Sequence, residues 1–187
     1  MDVAAHKGEA KELALNPLTV GTAKGLNYIL QFNRAITLKL EMVLRNAKNP
    51  VVRAYGEYAL HEVAKLNRLV DVVVNELGFN EDEVDEGEAA RVLGPRFIKL
   101  SRELHAILDK MSRKIDGEIL RRFASVSYMI LRLLAVQGMA YAKVVEDVIG
   151  SPWAGRALRR TSKDLLQLAA KLKLMKKALT LHETLFH

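Results

Sequence analysis

Between residues 50 and 77 the apolar positions fall at alternating steps of four and three: Val52, Gly56, Ala59, Val63, Leu66, Val70, Val73 and Leu77. That spacing lays one continuous apolar seam along a helix. Glu57, His61, Arg68 and Asn75 fall on the other side, and Gly56 and Ala59 leave room for close approach near the start. The punctuation elsewhere is helical too. Asn49-Pro50 sets an N-cap before a proline at the first helical position, and Ser151-Pro152 repeats the device. Gly78, Gly94 and Gly150 each follow a helical pattern and suit C-terminal caps. No run of alternating β-branched residues with hairpin turns occurs. The pattern predicts helices over 3–15, 20–48, 50–77, 81–93, 95–115, 117–149 and 151–185. Residues 95–149 are either two helices broken near Asp116-Gly117 or one long bent helix. Turns of one to three residues favour antiparallel neighbours. The expected fold is therefore all-α: a long-helix, four-helix-bundle-like domain over 49–187, preceded by an N-terminal helical arm over 1–48.

Two helices carry more apolar surface than one face needs. In the last, Leu158, Leu165, Leu168, Leu172, Met175 and Leu179 form a seam, while Leu166, Ala170, Leu174, Ala178 and Leu181 lie roughly opposite. In residues 20–48, Leu26, Leu30, Ile36, Leu40 and Leu44 form one side, and Tyr28, Ala35, Leu38 and Met42 another. Two stripes on one helix imply central burial or a subunit contact. Gly21 and Gly25, four apart, make either a small-residue face for close packing or a flexible start. The helix over 117–149 is apolar nearly all round its middle and is expected in the core. Its segment Phe123–Ala142 has the length of a membrane span, but Arg132 sits at its centre. A mid-bilayer arginine is costly, so a bundle helix is expected and no integral membrane span.

Composition narrows the chemistry. Without cysteine there is no disulfide, no thiolate nucleophile and no Cys-ligated metal. The first ten residues lack the basic and apolar regions of a signal peptide. A ferritin-like metal site needs Glu-x-x-His on two helices. The available pairs, Glu57/His61, Glu103/His105 and Glu183/His187, have other spacings, and a solvated i, i+4 pair explains the first. No zincin motif, P-loop, dinucleotide fingerprint or nucleophile elbow is present. The chain is expected to be no enzyme and to need no cofactor.

Charge points to a partner. The formal net charge is +7, yet residues 79–88, FNEDEVDEGE, hold six acids and no base, so the remainder is more basic than the total. That acidic run is solvated surface or the counterpart of a basic face on a neighbouring subunit; it lacks the spacing of a calcium loop. The basic positions sit on helix faces. Lys24, Arg34, Lys39, Arg45 and Lys48 flank the first seam. Lys99, Arg102, Lys110 and Arg113 lie opposite the apolar side Phe97, Leu100, Leu104, Ile107, Leu108 and Met111. In RALRRTSKD, Arg156, Arg159, Arg160 and Lys163 cluster opposite Leu158 and Leu165. Cations at helical intervals suit phosphates without sequence preference. Aromatics interleaved for base stacking are missing, and these helices are longer than a helix-turn-helix needs. Lys110 aside, these twelve cations are the candidate nucleic-acid contacts, and double-stranded DNA, met through its phosphate backbone, is the expected partner.

Residues Gly21–Lys48, GTAKGLNYILQFNRAITLKLEMVLRNAK, followed by bundle-like helices to the C-terminus, resemble in layout the α-helical coat proteins of filamentous archaeal viruses. The resemblance implies subunits that pair, often as two related proteins. It also implies helical arms that wrap an A-form duplex, and bundles that form an outer shell. It therefore implies virion assembly and genome packaging, with the virion as location. The alternatives are a cytoplasmic helical interaction or regulatory bundle and, less favoured by the residues, a ferritin-like metal-dependent bundle enzyme.

Overall fold

The computed structural model of the chain describes residues 16–48, 50–79 and 83–186, with side chains omitted at 51, 52, 55 and 178–186. Six helices lie among them: α1 (Pro17–Asn46), α2 (Pro50–Glu76), α3 (Glu86–Leu93), α4 (Pro95–Met111), α5 (Gly117–Asp147) and α6 (Pro152–Phe186). The described residues contain no strand, and the chain is all-α. The expected helix over 3–15 and the cap Asn49 lie outside the described residues, as do the side chains of the seam positions Val52, Ala178, Leu179 and Leu181.

The punctuation acts as its chemistry dictates. Asn16 accepts from the Leu18 amide at 2.9 Å ahead of Pro17, so the first helix begins earlier than residue 20 by the same Asn-Pro device expected at 49–50. Asp116 caps α5 by accepting from the Ile119 amide at 2.9 Å, which settles 95–149 as two helices. Gly78, at φ 64°, ends α2 with a Schellman turn: the Phe79 amide reaches back to Val74 and the Gly78 amide to Asn75, both at 3.0 Å.

The helix expected as an arm, α1, is the bundle's central element. It packs against α2, α3, α4 and α5, and buries Leu26, Ile29, Leu30, Phe32, Ile36, Leu40, Val43 and Leu44. Of the arm expected over 1–48, residues 17–46 thus pack within the bundle. The physical reason is its second stripe: Tyr28 turns inward with the main seam, meeting Phe97 edge-on at 6.2 Å, while Phe32 meets the same ring at 5.3 Å. Only Leu38 and Met42 of that stripe stand well exposed. Conversely, α5 is not buried all round. Val136 is 67 % exposed and Met139 39 %, on a face shared with Arg132 and Lys143. By length and composition it remains the one helix among the described residues apolar enough to cross a membrane. In this fold its Ala124, Val126, Ile130, Leu134, Ala135, Ala142 and Val145 are buried.

The tightest packing joins α5 to α6. Small residues on both helices, Ala135, Gly138 and Ala142 against Ala154, Gly155 and Ala169, let the backbones approach. A Cβ on Gly138 would lie 2.5 Å from the Ser162 hydroxyl, which itself donates to the Leu158 carbonyl at 2.8 Å. Gly25 makes the analogous contact on α1. A Cβ there would land on the Tyr141 hydroxyl, whose pKa burial raises to about 12. Small-residue packing thus decides the reading of Gly21 and Gly25 for the second of them. Gly56 likewise receives the Leu44 side chain.

Two predictions follow from this packing. Gly138→Ala should destabilise the fold by about 1–3 kcal/mol through overpacking. In a Ser162→Ala background the clash is gone, and the same change should instead stabilise by up to about 1 kcal/mol through helix propensity. Urea unfolding of the four proteins measures both. His105 meets Phe32 edge-on at 6.0 Å, and burial, helped by the charge of Lys39, holds its pKa below the ordinary 6.5. As pH falls through that ordinary value the unfolded imidazole gains its proton first. Stability should therefore decline between about pH 7 and 5.5, and His105→Gln should flatten the decline in urea midpoints.

Candidate nucleic-acid interface

The acidic segment meets its own chain's bases. Asp85 caps α3 by accepting from the Glu88 amide at 2.8 Å, which orients the helix. At its other end Gln137 donates to the Val92 carbonyl at 3.0 Å, tying α3 to α5. So anchored, Glu88 pairs with Lys24 on α1 and Glu86 pairs with Arg102 on α4. The Arg102 hydrogen bond holds the Glu86 carboxyl below its usual range, and the same bond raises Arg102. Counter-charge within the chain therefore replaces the expected pairing with a neighbouring subunit for these two acids.

Three more of the twelve candidate cations are engaged. Arg34 lies 3.6 Å from Asp71, Lys39 pairs with Asp109, and Arg159 pairs with Glu146 through both Nε, at 3.1 Å, and a terminal nitrogen. The Arg159 pair lowers the Glu146 pKa and raises that of Arg159. Lys24, Arg34, Lys39, Arg102 and Arg159 are thus the candidates that the structure assigns to intramolecular ion pairs. Sequence spacing on one helix does not show this, because each partner sits on another element.

The other seven, Arg45, Lys48, Lys99, Arg113, Arg156, Arg160 and Lys163, are exposed and have no ion-pair partner among the described residues. They do not form one surface. Asn46 donates to the Ser112 carbonyl at 3.0 Å, which brings Arg45 and Lys48 to the Arg113 corner of the bundle. Lys99 stands near the opposite end of α4. Arg156, Arg160 and Lys163 share the outer face of α6 at i, i+4 and i+7, a row about 10 Å long. The Gly138–Ser162 contact and the Arg159–Glu146 pair set α6 antiparallel to α5, so this row lies at the far end of the bundle from Arg113.

Further along α6 lies a group that the reading of the sequence passed over. Lys173, Lys176 and Lys177 rim an open groove of about 680 Å³ whose other walls are Ala124, Ser125, Tyr128 and Met129 of α5. Arg132 donates to the Tyr128 hydroxyl at 3.1 Å and lies over its ring at 5.6 Å. The sequence signal for this group is KLKLMKK, residues 171–177. Lys163 and Lys173 stand about 15 Å apart along α6, so the two groups are separate, and the second faces the groove with α5. The apolar stripe is interspersed lengthwise: Leu166 is 38 % and Leu174 65 % exposed.

Among the described residues no three His, Asp or Glu side chains are grouped as metal ligands, and Glu57 and His61 both face solvent. No family model, no curated protein and no solved structure matches this chain.

Proposed function

We propose that the protein is a non-enzymatic structural protein that coats double-stranded DNA through its phosphates, without sequence specificity, and assembles with copies of itself. The observation that carries this reading is the outer side of α6. There Arg156, Arg160 and Lys163 stand exposed in one row with no ion-pair partner among the described residues, Arg156 lying near enough to Glu146 to lower its pKa, and Lys173 and Lys177 form a second group further along the helix. A row about 10 Å long can meet several phosphates, which recur at short intervals along a duplex. The setting of a filamentous virion coat, with genome packaging as the task, rests on the layout of the chain. In that setting α6 does the work that the layout implied for an arm.

The exposed apolar residues Leu166 and Leu174 on α6, with Leu38 and Met42 on α1, supply surface for contacts between subunits. The same residues favour a second reading, a helical protein-interaction bundle whose partner is another protein.

Titration of a mixed-sequence duplex at several salt concentrations separates the two. Each phosphate neutralised contributes about −0.9 to the slope of log K against log salt. The variant Arg156→Ala/Arg160→Ala/Lys163→Ala should reduce that slope by about 2–3 and weaken every duplex sequence alike. A triple variant that binds as tightly as the parent, with the same slope, contradicts the DNA-coating role of α6. For assembly, Leu174→Glu should shift the oligomer distribution in analytical ultracentrifugation toward monomer with helicity retained. An unchanged distribution removes α6 from the subunit contact.

A further inference from the structure

The outer side of α5 is open, and it mixes two chemistries. Ser125, Tyr128, Arg132, Val136, Met139 and Lys143 recur at steps of three and four, so they share one side of the helix over about 27 Å. Val136 and Met139 stand exposed between Arg132 and Lys143, which are exposed too. Tyr128 sits half-buried toward one end, its hydroxyl accepting from Arg132. That bond is to a neutral phenol and leaves the charge of the arginine uncancelled.

α6 borders this face. By the same helical count Arg159, Ala170, Lys173 and Lys177 lie in one row along α6. At one end of the row Arg159 pairs with Glu146 of α5. At the other, Lys173 and Lys177 line a groove with Ser125, Tyr128 and Met129. The row therefore runs beside the open face of α5, with the two lysines next to its tyrosine end. Arg156, Arg160 and Lys163 lie about a quarter turn further round α6 and form a different face.

Acids are missing from this side of the bundle. Residues 119–145 hold none, and residues 152–177 hold only Asp164, whose carboxylate meets Lys65 of α2 at 3.2 Å. Exposed aliphatic side chains thus lie among cations with little counter-charge. A phosphate backbone alone would use the cations and gain nothing from Val136 and Met139. The surface of an anionic bilayer uses both. Apolar side chains enter the boundary between headgroups and acyl chains, and long Lys and Arg side chains around them reach lipid phosphates. A tyrosine, apolar in its ring and polar at its tip, suits the same depth.

We propose that the α5–α6 side docks peripherally on an anionic phospholipid bilayer. Val136 and Met139 enter the interface, while Arg132, Lys143, Lys173 and Lys177 meet headgroup phosphates. The bundle stays folded, since the other side of α5 is committed to the core through Ala135, Ala142 and Val145, all fully buried. This surface does not rest on the DNA-coating reading.

The test is flotation of the full chain with vesicles of phosphatidylcholine and phosphatidylglycerol in equal parts, against phosphatidylcholine alone. Binding should be saturable, at least tenfold tighter on the anionic vesicles, and weakened by salt. Val136→Asp/Met139→Asp should weaken it at least tenfold, with helicity and duplex affinity unchanged. Lys173→Gln/Lys177→Gln should weaken it about tenfold. Met139→Trp in a Trp153→Phe background reports depth: its emission should shift to the blue on vesicles and be quenched most by lipids brominated near the headgroup. Should the aspartate variant fail to fold, that quenching decides. No binding to the anionic vesicles overturns the proposal and leaves the face to an acidic protein. Binding that survives Val136→Asp/Met139→Asp contradicts it as well, placing the contact elsewhere. Loss of duplex affinity in that variant assigns the face to nucleic acid instead. Quenching strongest by a label at the bilayer centre also refutes it, because α5 has then left the bundle to span the membrane.

Discussion

The close approach of α5 and α6 decides where most of the remaining chemistry goes. Alanine, glycine and serine at the contact bring the two backbones together in one register, with Gly138 against Ser162 and Gly155 against Glu146. A side chain at either glycine would meet its partner's atoms, so the register has little freedom to slide. With it fixed, Arg159 falls on Glu146 and is neutralised, while Arg156, Arg160 and Lys163 turn to solvent.

Charge is managed by the same architecture. The basic total overstates what a polyanion meets, because α3 delivers Glu86 and Glu88 to Arg102 and Lys24, and α2 and α4 deliver Asp71 and Asp109 to Arg34 and Lys39. Exposed pairs of this kind add little to stability. Their larger effect is on the surface potential, which they flatten around α1, α3 and α4 and leave high along α6 and at the Arg45–Arg113 corner. In the proposed role, that contrast places the phosphate contacts on α6.

Much of the fold was legible in the chain itself. Prolines at 50, 95 and 152 and glycines at 78, 94 and 150 mark helix ends because each does something no other residue does there. The α4 seam, Phe97 to Met111, is buried throughout, since a single amphipathic face leaves one way to pack. What depends on neighbours was not legible. Tyr28 and Leu38 share a stripe in the sequence, yet one is buried and the other open, because α4 covers only the first. Lys39 and Arg160 look alike along their helices; Asp109, 70 residues away, distinguishes them.

The account turns on whether α6 lies against nucleic acid. Electron cryomicroscopy of the purified protein mixed with linear duplex tests that most directly. The account predicts filaments in which subunits repeat along the duplex with Arg156, Arg160 and Lys163 within reach of phosphate oxygens. Bare duplex beside compact particles, or a coat that turns α6 outward to solvent, contradicts it.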